Sequence, residues 1–315
     1  MTGTSPVRLS NEFLSLEVLP GLGARVLNFT ASSGRAVFRR TEPDEVPSGR
    51  CAAFLMLPYS NRIENARFTY EATRHQLRPG DDGHARHGDV RDRPWQVEAA
   101  SGTGLTCTFD SRRFTDLNWP WAFTARVSYR LQGPVLSVSL SITNADTTAM
   151  PAGMGLHPYV QRRDGPDDPE LTFTAKGLYL TDHRLIPSRA AQAIPAERDF
   201  SAGRAGRFGR RLAGEKQHLH PVNENGQAVR VERKCCFEVS LQGILRESTF
   251  AAHFLLLTPG EVGDLRRDQP RGQPTATRFG QHDLKSCLAS SGPGAREKTF
   301  GVSKPELKDR GAVLA

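Results

Sequence analysis

The chain reads as all-β: a large antiparallel β-sandwich in a single domain. Three observations carry that expectation. Apolar and polar residues alternate with period two over long segments, Gly and Pro clusters punctuate those segments, and no stretch keeps a helical period for three turns. Successive side chains of a strand point to opposite faces, so alternation buries one face and wets the other. Many short strands with turns between them pack as a sandwich or a barrel.

The elements follow in order. Phe13 to Leu19 and Ala24 to Thr30 are strands parted by Gly21 and Gly23. Ala52 to Leu57 is a strand that runs into Pro58. Trp95 to Ala99 and Leu105 to Phe109 follow. From Phe123 to Leu131 the odd positions are apolar; from Leu136 to Ile142 the even ones are. Gln132-Gly133-Pro134 joins these two runs, which predicts a hairpin. Leu171 to Ala175, Ala228 to Glu232 and Phe250 to Leu257 complete the set. Ser201 to Gly214, rich in Gly and Arg, reads as a loop. From about Gly260 the composition turns to Arg, Gln, Pro and Gly, and from Ser290 onward it is polar. The expected division is one domain over 1–285 and a polar tail over 286–315 that packs little surface.

The chain's 315 residues are ample for a sizeable core. With 37% hydrophobic and 24% charged residues the composition is globular. No apolar run reaches membrane-spanning length, and Met1 to Pro6 lacks the basic and apolar parts of a signal peptide, so the expected location is cytoplasmic and no membrane partner is expected. Five cysteines, with Cys235 and Cys236 adjacent and no Cys-x-x-Cys, argue against a disulfide framework and a zinc site. The net charge of +8 comes from arginines scattered singly between acids, and every lysine lies at 176 or later. Nucleic acid needs a concentrated basic footprint, so no nucleic-acid partner is expected.

Three short polar segments carry the candidate chemistry. In the first, Pro58 to Phe68, a strand feeds a loop that sets Asn61 and Arg62 at the strand end, where loops gather into sites. Arg62 offers five fixed donors and no acceptor, which suits a hydroxyl, a ring oxygen or a carboxylate. The competing reading has Asn61 closing a turn and Arg62 paired with Glu64 on the surface. The second is His84-Ala85-Arg86-His87-Gly88-Asp89. Gly88 lets the backbone come close to a ligand. His84 and His87 lack a third metal ligand at suitable spacing, and a solvated loop histidine is the plainer reading. The third is Gly153 to Tyr159, in which Pro158 holds His157 extended and fixes its imidazole as a possible proton donor. The alternative is a buried histidine bonded to a backbone carbonyl. Histidine exchanges protons near neutral pH. Two of them with an arginine on a β scaffold point to acid/base work on a polar, uncharged substrate.

Together these segments resemble the aldose 1-epimerase (galactose mutarotase) family. The matching pieces are Asn61-Arg62-Ile63 with Phe68 downstream, His87-Gly88 with Trp95 downstream, and His157-Pro158-Tyr159, in the same order and at similar spacing. Asp199-Phe200, after Pro195, resembles a further family pair. The likeness covers roughly residues 10 to 200. It implies a galactose mutarotase-like sandwich that interconverts the α and β anomers of a free hexose with no cofactor and no metal, as a monomer or homodimer. A base takes the anomeric hydroxyl proton, an acid protonates the ring oxygen, and rotation with reclosure gives the other anomer. By resemblance, His157 is the acid, His87 and Arg62 bond the ring oxygen or nearby hydroxyls, and Asn61 helps position them. Trp95, Trp119 or Trp121 would offer a sugar-facing surface, with core packing as the other reading.

The C-terminal part departs from the family. Its base is a glutamate in a Glu-Pro pair after a strand ending in Thr-Pro. Here Phe254 to Pro259 is such a strand, but the pair is Gln269-Pro270, preceded by Asp268. An amide is no base at neutral pH. Asp268 is the expected substitute and Glu261 the other option, although displacing a reacting group by ~1 Å costs ~100-fold in rate. The family's sugar-contacting aspartate also has no match between Gly203 and Asn225, where Gly214 to His218 stands instead. Either the chain is a diverged sugar binder without the base, or its coding sequence carries a reading-frame change. A sugar-phosphate epimerase is a third reading, which requires arginines converging on one site.

Overall fold

The computed structural model describes residues 5–161 without a break, then 170–171, 177–187, 192–196, 199, 204–205, 219–222, 229–232, 236–245 and 249–257. Among them no α-helix occurs, and no helix is long and apolar enough to cross a membrane. The early strands are β1 (Val7–Ser10), β2 (Leu14–Leu19), β3 (Arg25–Ala31), β4 (Ala53–Met56), β5 (Arg62–Ile63), β6 (Arg67–Tyr70) and β7 (Thr73–Gln76). Next come β8 (Ala85–Arg86), β9 (Gln96–Ala100), β10 (Gly104–Asp110), β11 (Phe123–Gln132), β12 (Val135–Asn144) and β13 (Met150–Pro158). The last are β14 (Glu170–Leu171), β15 (Gly177–Leu180), β16 (Arg204–Ala205), β17 (Leu219–Val222), β18 (Val229–Glu232), β19 (Cys236–Leu245) and β20 (Thr249–Leu257).

Two antiparallel sheets make the sandwich. Nine strands run in the order β1-β2-β3-β4-β13-β19-β18-β17-β15, and five in the order β20-β12-β11-β10-β9. The predicted hairpin is present: β11 and β12 pair without a slip from Phe123↔Asn144 to Gln132↔Val135. Its alternation points Val127, Tyr129, Val138 and Leu140 into the core between the sheets. Leu16, Val18 and Leu55 meet them from the large sheet. Each such side chain stabilises the fold by ~1.5–3 kcal/mol. The Tyr129 hydroxyl crosses between layers and donates to the Ala24 carbonyl at 2.7 Å, so its polar end is not left unpaired in the interior. Trp95, Trp119 and Trp121 are all buried in this core, which selects packing over a sugar-facing role.

Two expectations need correction. β13, buried along its whole length, was not expected as a strand, because its Gly and Pro content hides any alternation. β19 was missed although Phe237, Val239 and Leu241 do alternate with polar residues. Of the segment Leu171 to Ala175 only Leu171 is described, and everything from 258 onward, including the expected tail, lies outside the described residues.

β4 decides where a site can sit. Ala53 and Leu55 face the inter-sheet core, so Phe54 and Met56 must face the other side of the large sheet. There they join Cys51 and Tyr159 in a second, small apolar cluster.

Candidate active site

The floor of the site is built by register. His157 on β13 pairs opposite Phe54 on β4. Cross-strand partners share a face, so the imidazole stacks on the Phe54 ring with centroids 4.5 Å apart and planes 16° from parallel. Tyr159, two residues on, lies on the same side with its ring 5.0 Å from that of His157. His157 is only 3% exposed.

Irregular backbone brings the second histidine in. The chain leaves β4 through a cis Leu57–Pro58 bond, and the Pro58 carbonyl accepts the Gly153 N–H at 2.6 Å. Asn61 then turns into the left-handed region at φ 51°, and its carbonyl accepts the His87 N–H at 2.8 Å. His87 is itself left-handed at φ 62°. Its ring lies 5.4 Å from that of His157, edge to face at 78°, and 5.6 Å from Phe54. His84 and His87 are both buried, so neither is the solvated loop histidine that was the plainer expectation. The His84 Nδ1 accepts the Asn65 N–H at 2.9 Å and so clamps the loop.

Gly88 serves a different end from the one expected. A Cβ there would stand 1.8 Å from the Leu57 carbonyl oxygen. The close approach that demands glycine is to the protein's own backbone, where Leu57 and Gly88 form a parallel bridge and Leu57 accepts the Asp89 N–H at 2.8 Å.

Arg62 does not pair with Glu64 on the surface. It is 6% exposed, and its Nε faces the Asp82 carboxylate at 3.4 Å, while Glu64 pairs with Arg184 at 2.7 Å. β5 and β8 pair Arg62 with Arg86, and Arg86 reaches the same carboxylate at 3.7 Å. Partial burial pushes the Asp82 carboxyl up, but the His84 amide and the Arg86 and Arg62 guanidinium groups outweigh it and hold the group below its usual range.

Two more arginines border the floor. Arg39 lies over the Tyr159 ring and Arg91 over the Phe54 ring, each at 5.0 Å. Buried Arg25 fixes the second by bonding the Arg91 carbonyl at 2.8 Å and Asp92 at 2.5 Å. Burial raises the Cys51 thiol pKa, opposed by Arg25, Arg91 and Arg39, and the Arg39 guanidinium donates to the Cys51 carbonyl at 3.0 Å.

The structure therefore joins His157 and His87 directly, and joins Asn61 to His87 through the backbone. Arg62 follows Asn61 in the chain and is held by Asp82. Asp268, Glu261 and Gln269 lie outside the described residues. Sequence reasoning missed Phe54, Asp82, Arg39 and Arg91. Phe54 sits in an uninterrupted apolar run, Asp82 in an ordinary Asp-Asp-Gly turn, and the arginines among many others. A flat imidazole stack with a second imidazole at its edge can exchange hydrogen bonds with a hydroxylated molecule.

Comparison with known proteins follows the same lines. A family model described as aldose 1-epimerase matches residues 6–246. Two uncharacterized proteins of Escherichia coli K12 are similar in sequence. YphB is 27% identical over 154 residues, 48% of this chain and 50% of that protein. YihR is 28% identical over 151 residues, 47% of this chain and 48% of that protein. The chain thus spans about half the length of the curated relatives it matches. Among solved structures, the GalM/aldose epimerase homologue of C. elegans superposes with a TM-score of 0.65 at 14% identity, over 80% of this chain and 98% of that one. The galactose 1-epimerase of Lactobacillus acidophilus NCFM gives 0.62 at 13%, over 79% and 92%. At such identity the likeness speaks for the galactose mutarotase-like fold.

Proposed function

The chain belongs to the aldose 1-epimerase family, and from that premise we propose that it interconverts the α and β anomers of a free hexose by acid/base ring opening. His157 protonates the ring oxygen as the C1–O bond breaks. A carboxylate, Asp268 in this reading, takes the anomeric hydroxyl proton. Rotation about C1–C2 and the reverse transfers close the other anomer. His87 and Arg62 bond the ring oxygen or adjacent hydroxyls, and Asn61 keeps His87 in place.

The observation that carries this reading is the edge-to-face imidazole pair on Phe54, buried and fixed by register. A stacked ring has one orientation to offer, which is what a proton donor needs. The arginines bordering the floor, Arg39 and Arg91, favour a second reading in which the hexose carries a phosphate.

Polarimetry on fresh α-glucose, α-galactose and a hexose 6-phosphate tests both. The expected result is accelerated anomer exchange that falls ~10²–10⁴-fold in His157→Ala. Asp268→Asn abolishes it while Glu261→Gln does not; the opposite pattern moves the base to Glu261. Acceleration confined to the phosphorylated sugar selects the second reading. Saturable binding with no acceleration of any of them would leave a carbohydrate binder and sink the catalytic proposal.

A further inference from the structure

A hollow of about 560 Å³ opens on the outer face of β1, β2 and β3, apart from the histidine pair. Small-molecule sites fall at ~300–1,000 Å³. Its floor comes from strand register: Glu17 lies opposite Asn28, and Ser15 opposite Thr30, on the face that alternation turns away from the core. The Asn28 Nδ2 donates to the Glu17 Oε2 at 2.7 Å, and the Asn28 Oδ1 accepts the Thr41 N–H at 3.2 Å. The amide is therefore pinned in one orientation beside a carboxylate. Arg8 lies against Ser15 at 3.3 Å.

The remaining lining decides the class of occupant. Two arginines, Arg8 and Arg40, face two glutamates, Glu17 and Glu42, so the lining charges balance and favour a neutral molecule over an ion. Hydroxyl, amide and carboxylate groups on one floor recognise several hydroxyls at once. Leu19, Leu27 and Val46 give the C–H faces of such a molecule an apolar surface. Thr41, in the wall, is 5% exposed, and its Oγ1 is buried with no hydrogen-bond partner among the described residues. Buried hydroxyls rarely stay so, because each costs free energy until it is bonded.

The wall also borders the candidate active site. Arg39, one residue before Arg40, donates its N–H to the Tyr159 carbonyl at 2.7 Å and lays its guanidinium over the Tyr159 ring. One strap thus separates the two places.

We propose that this hollow is a second binding site, for a neutral polyhydroxylated molecule of mono- or disaccharide size. It stands whether or not the histidine pair is catalytic.

The test uses the full chain with D-glucose and maltose as probes, in the His157→Ala background. Saturation-transfer NMR should show saturable binding that persists there and weakens about tenfold or more in Glu17→Ala, the loss of one charged hydrogen bond. Thr41→Val keeps the shape and removes only the unpartnered hydroxyl. It should fold with an unchanged or higher Tm and bind more weakly. Hydrogen exchange on the unmutated chain gives a measurement free of folding defects: added sugar should protect residues 8–17 and 40–46. No protection there, no binding in the His157→Ala chain, or binding indifferent to both Glu17→Ala and Thr41→Val overturns the proposal. Equal binding of inorganic phosphate alone overturns its neutral-ligand class.

Discussion

The β11–β12 hairpin and the two loops that carry Asn61 and His87 are both held by backbone hydrogen bonds, in opposite ways. The hairpin sets ten residues against ten with no slip, and its inward side chains are interchangeable aliphatic and aromatic volume. The loops repeat nothing. They turn on left-handed Asn61, Asn65 and His87, and on Gly88 pressed against Leu57. A left-handed residue other than glycine costs ~1–3 kcal/mol and persists only where its surroundings enforce it. The fold thus rests on many replaceable contacts, and the site on a few backbone approaches that tolerate no substitute. The turns at Asn61 and His87 lock the two loops together, because the Asn61 carbonyl accepts the His87 N–H at 2.8 Å.

Gly88→Ala is the harshest way to break this comparison. Its new Cβ would meet a backbone oxygen at 1.8 Å from a φ of 73°, and neither partner can rotate away. The expected loss exceeds ~4 kcal/mol, read as a large fall in Tm. Gly83→Ala, in the same loop at φ 78° but with nothing within 4 Å, should cost only ~1 kcal/mol. Equal losses in the two variants would show that conformation, rather than the approach to Leu57, governs the loop. On the other side of the comparison stands Leu140→Ala. It removes a buried side chain from the middle of β12 and should cost ~2–5 kcal/mol. Anomer exchange per folded molecule should stay at the unmutated rate. A matching drop in that rate would tie the core to the site and undo the distinction.

The same contrast sets what the sequence discloses. Period two is a local rule, so β2, β3, β4, β9, β10, β11, β12, β18 and β20 are legible within a residue or two of their bounds. β13 obeys it too, but with small and apolar residues on both faces, since its two sides pack against the core and the Phe54 cluster. Nothing local marks it as a strand, and only its partners β4 and β19 define it. His157, Asn61, Arg62 and His87 were legible as motifs. Their geometry was not, because the Phe54 stack follows from long-range register and the Asn61–His87 bond from three left-handed turns. Asp82 illustrates the limit: twenty residues separate it from Arg62 in sequence, and Glu64 was the nearer candidate.

Asp82 also gives the smallest expected effect and the sharpest pH test. Its side chain is 38% exposed, so the pair with Arg62 is screened and should be worth under ~1 kcal/mol. Asp82→Asn should therefore lower Tm only slightly. The carboxyl titrates below its unperturbed range, held there by the His84 amide and the Arg86 and Arg62 guanidinium groups against the partial burial that would raise it. A depressed carboxylate contributes stability that is fully present above the unfolded value of ~3.9 and is lost as pH falls through the folded one. The Tm difference between the unmutated chain and Asp82→Asn should then be constant above about pH 5 and shrink below about pH 4, where the carboxylate takes up its proton. Across neutral pH the anchor of Arg62 does not titrate, so any change in anomer exchange between pH 5 and 8 must come from other groups. A Tm difference that varied between pH 6 and 8 would show that Asp82 is not the ionised partner of Arg62.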